Sequence, residues 1–352
     1  MKENNIKFIY WFAYYNLDSP SVRYRAKYPL EYFKDKHNIG YHLVIPGYSI
    51  SRIIKFLIAY FSALIFIKKD SIIVIQRVQS NFFYSNLLKF LVFVRKSYTV
   101  YDLDDADYLD KNPNTIYYFA KKCNAVSAGS EKIAQHLRIF NSKIIHTSSP
   151  IVDLSIVKEK KSKLFTIGWI GGFGGEHKEG MIQTVFPAIK KLDFEFKFII
   201  LGVKENSDVD FINNYFINNR NIQIVIPLTV DWNNERYIQN FLKTFDVGIA
   251  TLIDSEMQIS KSGIKAKQYM NNGVPVLSTK LPENDSVVIE GKNGFFCSTS
   301  DDFRQRLIEF YNMDVVTYET FINNARKSIS NFDHNKYLMD LNKIKNGTKQ
   351  FV

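Results

Sequence analysis

Cysteine is nearly absent from this chain. The only two, Cys123 and Cys297, lie far apart and form no metal-ligand or redox spacing. Six histidines are scattered without an H-x-x-x-H pair. Zinc-built, iron–sulfur and disulfide-stapled scaffolds are therefore excluded, and no metal or cofactor is expected. Long apolar runs are missing too. The longest, Ile53–Ile67, falls short of the roughly 20 residues that a membrane span needs, and Lys68 and Lys69 follow it. Its first reading is a helix buried in a domain. Its second is an interfacial helix whose Arg52, Lys55, Lys68 and Lys69 meet anionic headgroups. The N-terminal apolar run is short, is interrupted by Lys7 and lacks a small-residue cleavage site, so a cytoplasmic location is expected.

Acidic residues are outnumbered, 35 against 46 Lys and Arg, for a net charge of +11. Such a balance suits nucleic acid, anionic lipid or phosphorylated substrates. No helix-turn-helix, zinc-finger or RNP-type signature is present and the basic residues are dispersed, so no nucleic-acid partner is expected. An anionic membrane surface or a lipid-phosphate acceptor accounts for the charge as well.

What the sequence does contain is alternation of strand and helix, over a length of 352 residues that suggests two domains. Strands are predicted at Lys7–Tyr14, Tyr41–Val44, Ser71–Gln76, Tyr98–Tyr101, Ala125–Val126 and Ile144–His146. Helices are predicted over Tyr24–Lys36, Ile53–Ile67, Phe82–Arg95 and, capped by Ser130, Glu131–Arg138. A charged seam, Val157–Lys163, separates this series from a second. There the strands are Thr166–Ile170, Phe196–Leu201, Ile222–Val225, Val247–Leu252 and Val274–Leu277, with helices over Glu179–Leu192, Tyr237–Thr244, Asp302–Tyr311, Val316–Ser328 and Asn335–Lys345. This spacing predicts parallel, doubly wound sheets, an α/β fold.

The densest chemistry lies in Asp246–Ser278, DVGIATLIDSEMQISKSGIKAKQYMNNGVPVLST. It reads as strand, polar loop, helix and strand, with Lys261 and Lys265 at the helix start. Four residues apart, the two ammonium groups share a face if both are helical, and an anion between them relieves their repulsion. A helix N-terminus with orphan amides favours a diphosphate at the same place. Upstream, the turn Gly171-Gly-Phe-Gly-Gly175 follows a strand, and glycines there let a backbone approach a phosphate or a sugar ring.

The stretch resembles the donor-binding segment of retaining glycosyltransferases of the GT-B fold, family-4-like, where D-[VI]-G, K-x-x-[EQ]-Y-M and G-x-P-V recur. That resemblance implies two Rossmann-like domains facing a cleft, spanning 1–158 and 159–331, with the final helix, 332–352, crossing back to the first. The first would bind the acceptor and the second a nucleotide-sugar. Gly171, Gly172, Gly174, Lys178, Lys261, Lys265, Gln268, Glu283 and Asn284 are then the donor-side candidates. Lys178 is either a phosphate ligand or a solvated surface lysine, and Glu283-Asn284 either a sugar contact or an ordinary loop. The two acids that the family often carries here are replaced by Ser260 and Gln268. Gln268 retains hydrogen-bonding capacity for a ribose.

On the acceptor side, Asp102-Leu-Asp104-Asp105 follows a strand. D-x-D is also the metal–nucleotide motif of the GT-A fold, but the phosphate-cradling features here lie after residue 165, which favours GT-B. The similarity assigns Asp102 or Asp104 to the acceptor hydroxyl; the plain alternative is an acidic turn capping the next helix. Ser21-Val-Arg23-Tyr-Arg25 resembles the S-x-R-Y-R of the same enzymes, and Arg23, Arg25 and Arg77 are candidate acceptor ligands. The implied activity is transfer of a sugar to a glycan or polyprenyl-phosphate-linked acceptor in surface polysaccharide synthesis, peripheral to the inner face of the cell membrane. A catalytically silent GT-B-like subunit and a nonhydrolysing sugar-nucleotide epimerase are the competing readings.

Overall fold

The structure is a computed structural model and describes residues 5–66, 70–94, 97–110 and 112–346. The chain divides into two compact units. One comprises Met1–Val152, Ser260–Ser262 and Phe332–Val352, the other Asp153–Ile259 and Gly263–Asn331.

The first unit is built on six parallel strands: β1 (Phe8–Ala13), β2 (Gly40–Val44), β3 (Ser71–Gln76), β4 (Tyr98–Leu103), β5 (Ala125–Ala128) and β6 (Ile144–His146), in the order β2-β1-β3-β4-β5-β6. β1, FIYWFA, and β3, SIIVIQ, are buried at every position, as strands covered on both faces must be. The helix His334–Asn346 packs on this sheet as the resemblance implies. Its Tyr337, Leu338, Leu341 and Ile344 join the core of Trp11, Phe33 and Val100. Asn342 accepts from the Ile6 amide at 2.9 Å, and the Tyr98 hydroxyl donates to the Ile344 carbonyl at 2.7 Å.

The second unit holds β7 (Phe165–Ile170), β8 (Phe196–Leu201), β9 (Ile222–Val225), β10 (Val247–Ala250), β11 (Val276–Ser278) and β12 (Gly294–Phe296), also all parallel. Their order, β12-β11-β10-β7-β8-β9, is that of dinucleotide-binding sheets, with a switch point between β7 and β10. Glu290 adds an isolated bridge to Gly294, the first residue of β12.

Both units shape the first helix after the leading strand in the same way. Arg23–Lys27 forms a π turn running into the helix Tyr28–His37, and Met181–Val185 one running into Phe186–Lys190. Each π turn precedes a proline, Pro29 or Pro187, which has no amide to donate and crowds the preceding turn. The wider turn absorbs that defect.

Among the helices that the sequence does not predict, the two longest are instructive. Asn206–Phe216, NSDVDFINNYF, is rich in Asn and Asp, which favour caps and turns over helix interiors. Burial of Ile212 and Phe216 in the core holds it helical. Asn114–Lys122 is anchored likewise by Ile116, Phe119 and Ala120.

The helix Ile50–Ile65 departs from the buried reading. Only Ala59, Tyr60 and Ala63 are buried, while Ile50, Ile54, Leu57, Ile58, Phe61 and Ile65 are exposed. The neighbouring helix Phe82–Val94 exposes Phe82, Phe83, Phe90 and Phe93. Lys68, Lys69 and Arg95 lie outside the described residues. No helix among the described residues is long and apolar enough to cross a membrane.

Candidate active site

Ligands of open α/β sheets bind beyond the carboxyl ends of the strands, at the switch point. In the second unit the turn after β7, Gly171–Gly175, occupies that place. A side chain added at Gly172, Gly174 or Gly175 would meet nothing within 4 Å, so the turn's backbone faces open space. Gly171 has φ +149°, and a Cβ there would lie 2.9 Å from the Lys265 Cε. Its carbonyl approaches Gly202, at the end of β8, so closely that a Cβ on Gly202 would sit 1.9 Å from it. Gly202 itself has φ +112°, and no other residue type fits.

Lys265 reaches this turn from the other side of the switch point. The helix Ile264–Asn271 begins directly after Gly263, whose φ of 64° is left-handed. The Lys265 ammonium lies 4.8 Å over the Trp169 ring and 3.2 Å from the His177 Nδ1. A cation held on an aromatic face beside a glycine turn and a helix start has the chemistry that suits an anion. Pro282–Asp285 forms a short helical turn against Gly263, burying Glu283 and Asn284 beside the same helix start. Gln268 is also buried, one turn further on.

Two of the donor-side lysines are paired with carboxylates. Lys261 is not helical, because left-handed Gly263 stops the helix before it. The segment Ser260–Ser262 belongs to the first unit, and the Lys261 ammonium binds Asp105 at 2.7 Å. Lys178 pairs with Asp208 at 2.6 Å and lies over the Phe211 ring. Each lysine neutralises a carboxylate, whereas the Lys265 ammonium lies over Trp169 beside the turn. Nor is the seam a wholly solvated charge run: Lys158 is buried against Asp246 at 2.9 Å, and burial pulls its pKa down. Asp246 also accepts from the Ser162 and Thr166 amides, so the first residue of the motif anchors β10 at its N-terminal end.

In the first unit four aspartates gather after β4. Asp102 is fully buried and receives a bidentate fork from Arg25, with Nη2 donating at 2.5 Å and Nε at 2.9 Å. Ser127 donates to it as well, while Arg25 Nη1 donates to the Thr147 carbonyl. Asp102 and Arg25 are thus buried against each other as a closed ion pair. Arg23 is buried and donates to the carbonyls of Leu17 and Asp18. Arg77 forks onto Asp107 at 2.6 and 2.7 Å and binds Asp105 at 2.8 Å. Burial opposes its charge, but Asp105 and Asp107 keep its pKa well raised. The physical reason is common to Arg25 and Arg77: buried carboxylates require cations. Arg77 does so from a left-handed backbone, φ 53°, rare for a residue with a long side chain.

Asp104 differs from its neighbours. It is buried, its Oδ1 has no hydrogen-bond partner, and the nearest cation, Arg77 Nη1, stands 3.8 Å away. Gly129 lets it fit, since a Cβ there would lie 2.5 Å from the Asp104 Cβ. Burial pushes its pKa up to about 6, against the pull of Arg77 and Arg25. A carboxylate poised near neutrality with an unsatisfied oxygen suits proton transfer.

Residues 165–313 match the sequence model of the family "Glycosyl transferases group 1". The match falls almost wholly within the second unit. Solved structures agree on the architecture. A glycosyltransferase from Rickettsia africae ESF-5 superposes with a TM-score of 0.69 at 14% identity, covering 98% of this chain and 100% of that one. Anabaena Alr3699/HepE, solved with UDP and glucose, gives a TM-score of 0.65 at 12% identity, with 98% and 100% covered. TarM gives a TM-score of 0.59 at 15% identity; 82% of this chain matches, and the chain spans 58% of TarM's length. No curated protein sequence matches the chain. The two parallel six-stranded sheets are those of the GT-B fold, and the GT-A reading of the D-x-D run falls away.

The second unit also places beside the glycine turn residues that the sequence reading missed. His177 contacts Lys265, and Glu176 accepts from the Gln258 amide at 2.8 Å, tying the helix after the glycine turn to the loop after β10. The signal available was position: both acid and histidine directly follow the turn. Nothing local marks Gln258.

Proposed function

We propose that the protein transfers a sugar, with retention of anomeric configuration, from a nucleotide-sugar to a hydroxyl of a glycan or polyprenyl-phosphate-linked acceptor in surface polysaccharide synthesis. The observation that carries this reading is Lys265, held over Trp169 beside the Gly171–Gly175 turn at the switch point of the matched domain. The turn amides, the helix start and the ammonium hold the donor diphosphate as charge grows on it when the bond to the anomeric carbon breaks. Glu283, Asn284 and Gln268 border the sugar and ribose end. In the first unit Asp104 orients the acceptor hydroxyl and draws off its proton, or hands that task to the departing phosphate. UDP in the HepE structure supports a uridine diphosphate donor. The exposed apolar faces of Ile50–Ile65 and Phe82–Val94 support a position at the cytoplasmic surface of an anionic membrane.

A thermal-shift panel of nucleotide-sugars tests the reading, since a ligand raises melting temperature by mass action. One or a few donors should raise it, and the same donors should be hydrolysed slowly without acceptor. Stabilisation without hydrolysis or transfer identifies a silent binding subunit, a reading favoured only by Ser260 and Gln268 standing where relatives often carry acids.

A further inference from the structure

The first unit contains a cavity of about 480 Å³, within the range of small-ligand sites. It lies at the carboxyl ends of β1 and β2, and its apolar wall is formed by Ile45, Ile53, Phe56, Phe83 and Leu87. Its walls come from the two helices whose outer faces are apolar, and Ile53, Phe83 and Leu87 belong to both wall and face. The cavity is therefore continuous with an exposed apolar surface. One guanidinium lines it: Arg52, exposed, with Nη1 donating to the Pro46 carbonyl at 3.1 Å. Acidic side chains are almost absent from this part of the sequence. Between Asp35 and Asp102 the only one is Asp70, against Lys36, Arg52, Lys55, Lys68, Lys69, Arg77, Lys89, Arg95 and Lys96.

A series of side-chain contacts links the cavity lining to Asp104. Tyr14 lines it, its hydroxyl bonds Ser80 at 3.0 Å, and the adjacent Tyr15 carries Arg77 4.6 Å over its ring. Arg77 in turn faces Asp104, Asp105 and Asp107.

We propose that this cavity seats the apolar chain of a phosphate-bearing lipid, with Arg52 at its phosphate and the headgroup directed past Tyr14 to Asp104. An apolar wall excludes a free sugar, since hydroxyls buried against Ile and Phe lose their hydrogen bonds. The guanidinium and the lack of acids select an anionic head. This deepens the assignment of the first unit to the acceptor and rests on it, but chain binding is measurable without any transfer.

The test is calorimetric titration of the full chain with farnesyl phosphate, without donor. Saturable binding is expected, with farnesol at least tenfold weaker and inorganic phosphate undetectable. Arg52→Gln should lower farnesyl phosphate affinity ten- to a hundredfold. Ile53→Trp, at a half-exposed position, should fill the cavity and abolish binding with the melting temperature unchanged. Equal affinity for farnesol, or binding that survives Ile53→Trp, overturns the proposal. So does an absence of binding while transfer to a soluble glycan proceeds, which leaves the glycosyltransferase reading intact. Binding without any transfer has the opposite meaning: the lipid site stands and the enzymatic reading fails. If Ile53→Trp instead dissolves a dimer seen by light scattering, and no lipid binds, the cavity belongs to a second copy of the chain and the proposal is lost.

Discussion

Replacing Asp104 by Asn separates the chemical role of this carboxylate from a structural one. Its folded pKa of about 6 stands above the ordinary 3.8, with burial the main cause and the attraction of Arg77 and Arg25 already included. The ionised form therefore costs stability. A raised folded pKa means full stability below about pH 4, lost progressively as pH climbs through about 6. That difference amounts to ~3 kcal/mol at neutral pH and above. Asp104→Asn removes the titration and fills the site with a near-isostere. Urea unfolding at pH 8 should show the variant as stable as the wild type or more so, by up to ~3 kcal/mol, with the gap closing toward pH 4. Transfer should behave in the opposite way. Wild-type kcat/KM should fall below pH 6 as the base protonates, while the variant should be at least about a hundredfold slower and lose that limb. A variant that keeps wild-type rate with the acidic limb intact refutes the argument. A variant destabilised at pH 8 would mean that the Asp104 carboxylate is held in place by a favourable ion pair instead.

Three further outcomes are expected. Arg25→Ala strands the buried Asp102 charge and should cost about 3–5 kcal/mol in urea unfolding, whereas an acceptor ligand would change KM and leave stability alone. Gly202→Ala forces a Cβ to within 1.9 Å of the Gly171 carbonyl; donor affinity should fall in thermal-shift titrations, and an unchanged affinity would detach the glycine turn from the donor. Flotation with anionic vesicles should show binding that weakens with salt, and Phe61→Ser with Phe90→Ser should each reduce it, since a fully buried Phe contributes about 1.5–3 kcal/mol; equal binding to neutral vesicles contradicts the membrane reading.

Alternation of apolar runs made the parallel sheets legible, because strands such as Ser71–Gln76 and Phe196–Leu201 are buried on both faces along almost their whole length and so read as near-continuous apolar runs. The glycine turn and Lys265 were legible for a related reason: the chemistry that needs them is local. Pairing was not. Lys178 and Lys261 carry the same charge as Lys265, and only the fold shows that Asp208 and Asp105, brought up from other parts of the chain, pair with them. The acidic run shows the same limit. Four aspartates look alike in sequence, and their roles divide because Arg25 closes on Asp102 and Arg77 on Asp105 and Asp107, leaving one Asp104 oxygen unsatisfied. The helix Ile50–Ile65 was misjudged because an apolar run reports hydrophobicity and not which face finds a neighbour.

Calorimetric titration of Lys265→Ala with the best nucleotide-sugar from the donor panel tests the central claim most directly. Loss of one charge-assisted contact corresponds to about 1.5–3 kcal/mol, so affinity should fall roughly ten- to a hundredfold while the melting temperature without ligand stays the same. A folded Lys265→Ala protein that binds the donor as tightly as the wild type would contradict the assignment of the diphosphate to the Gly171–Gly175 turn.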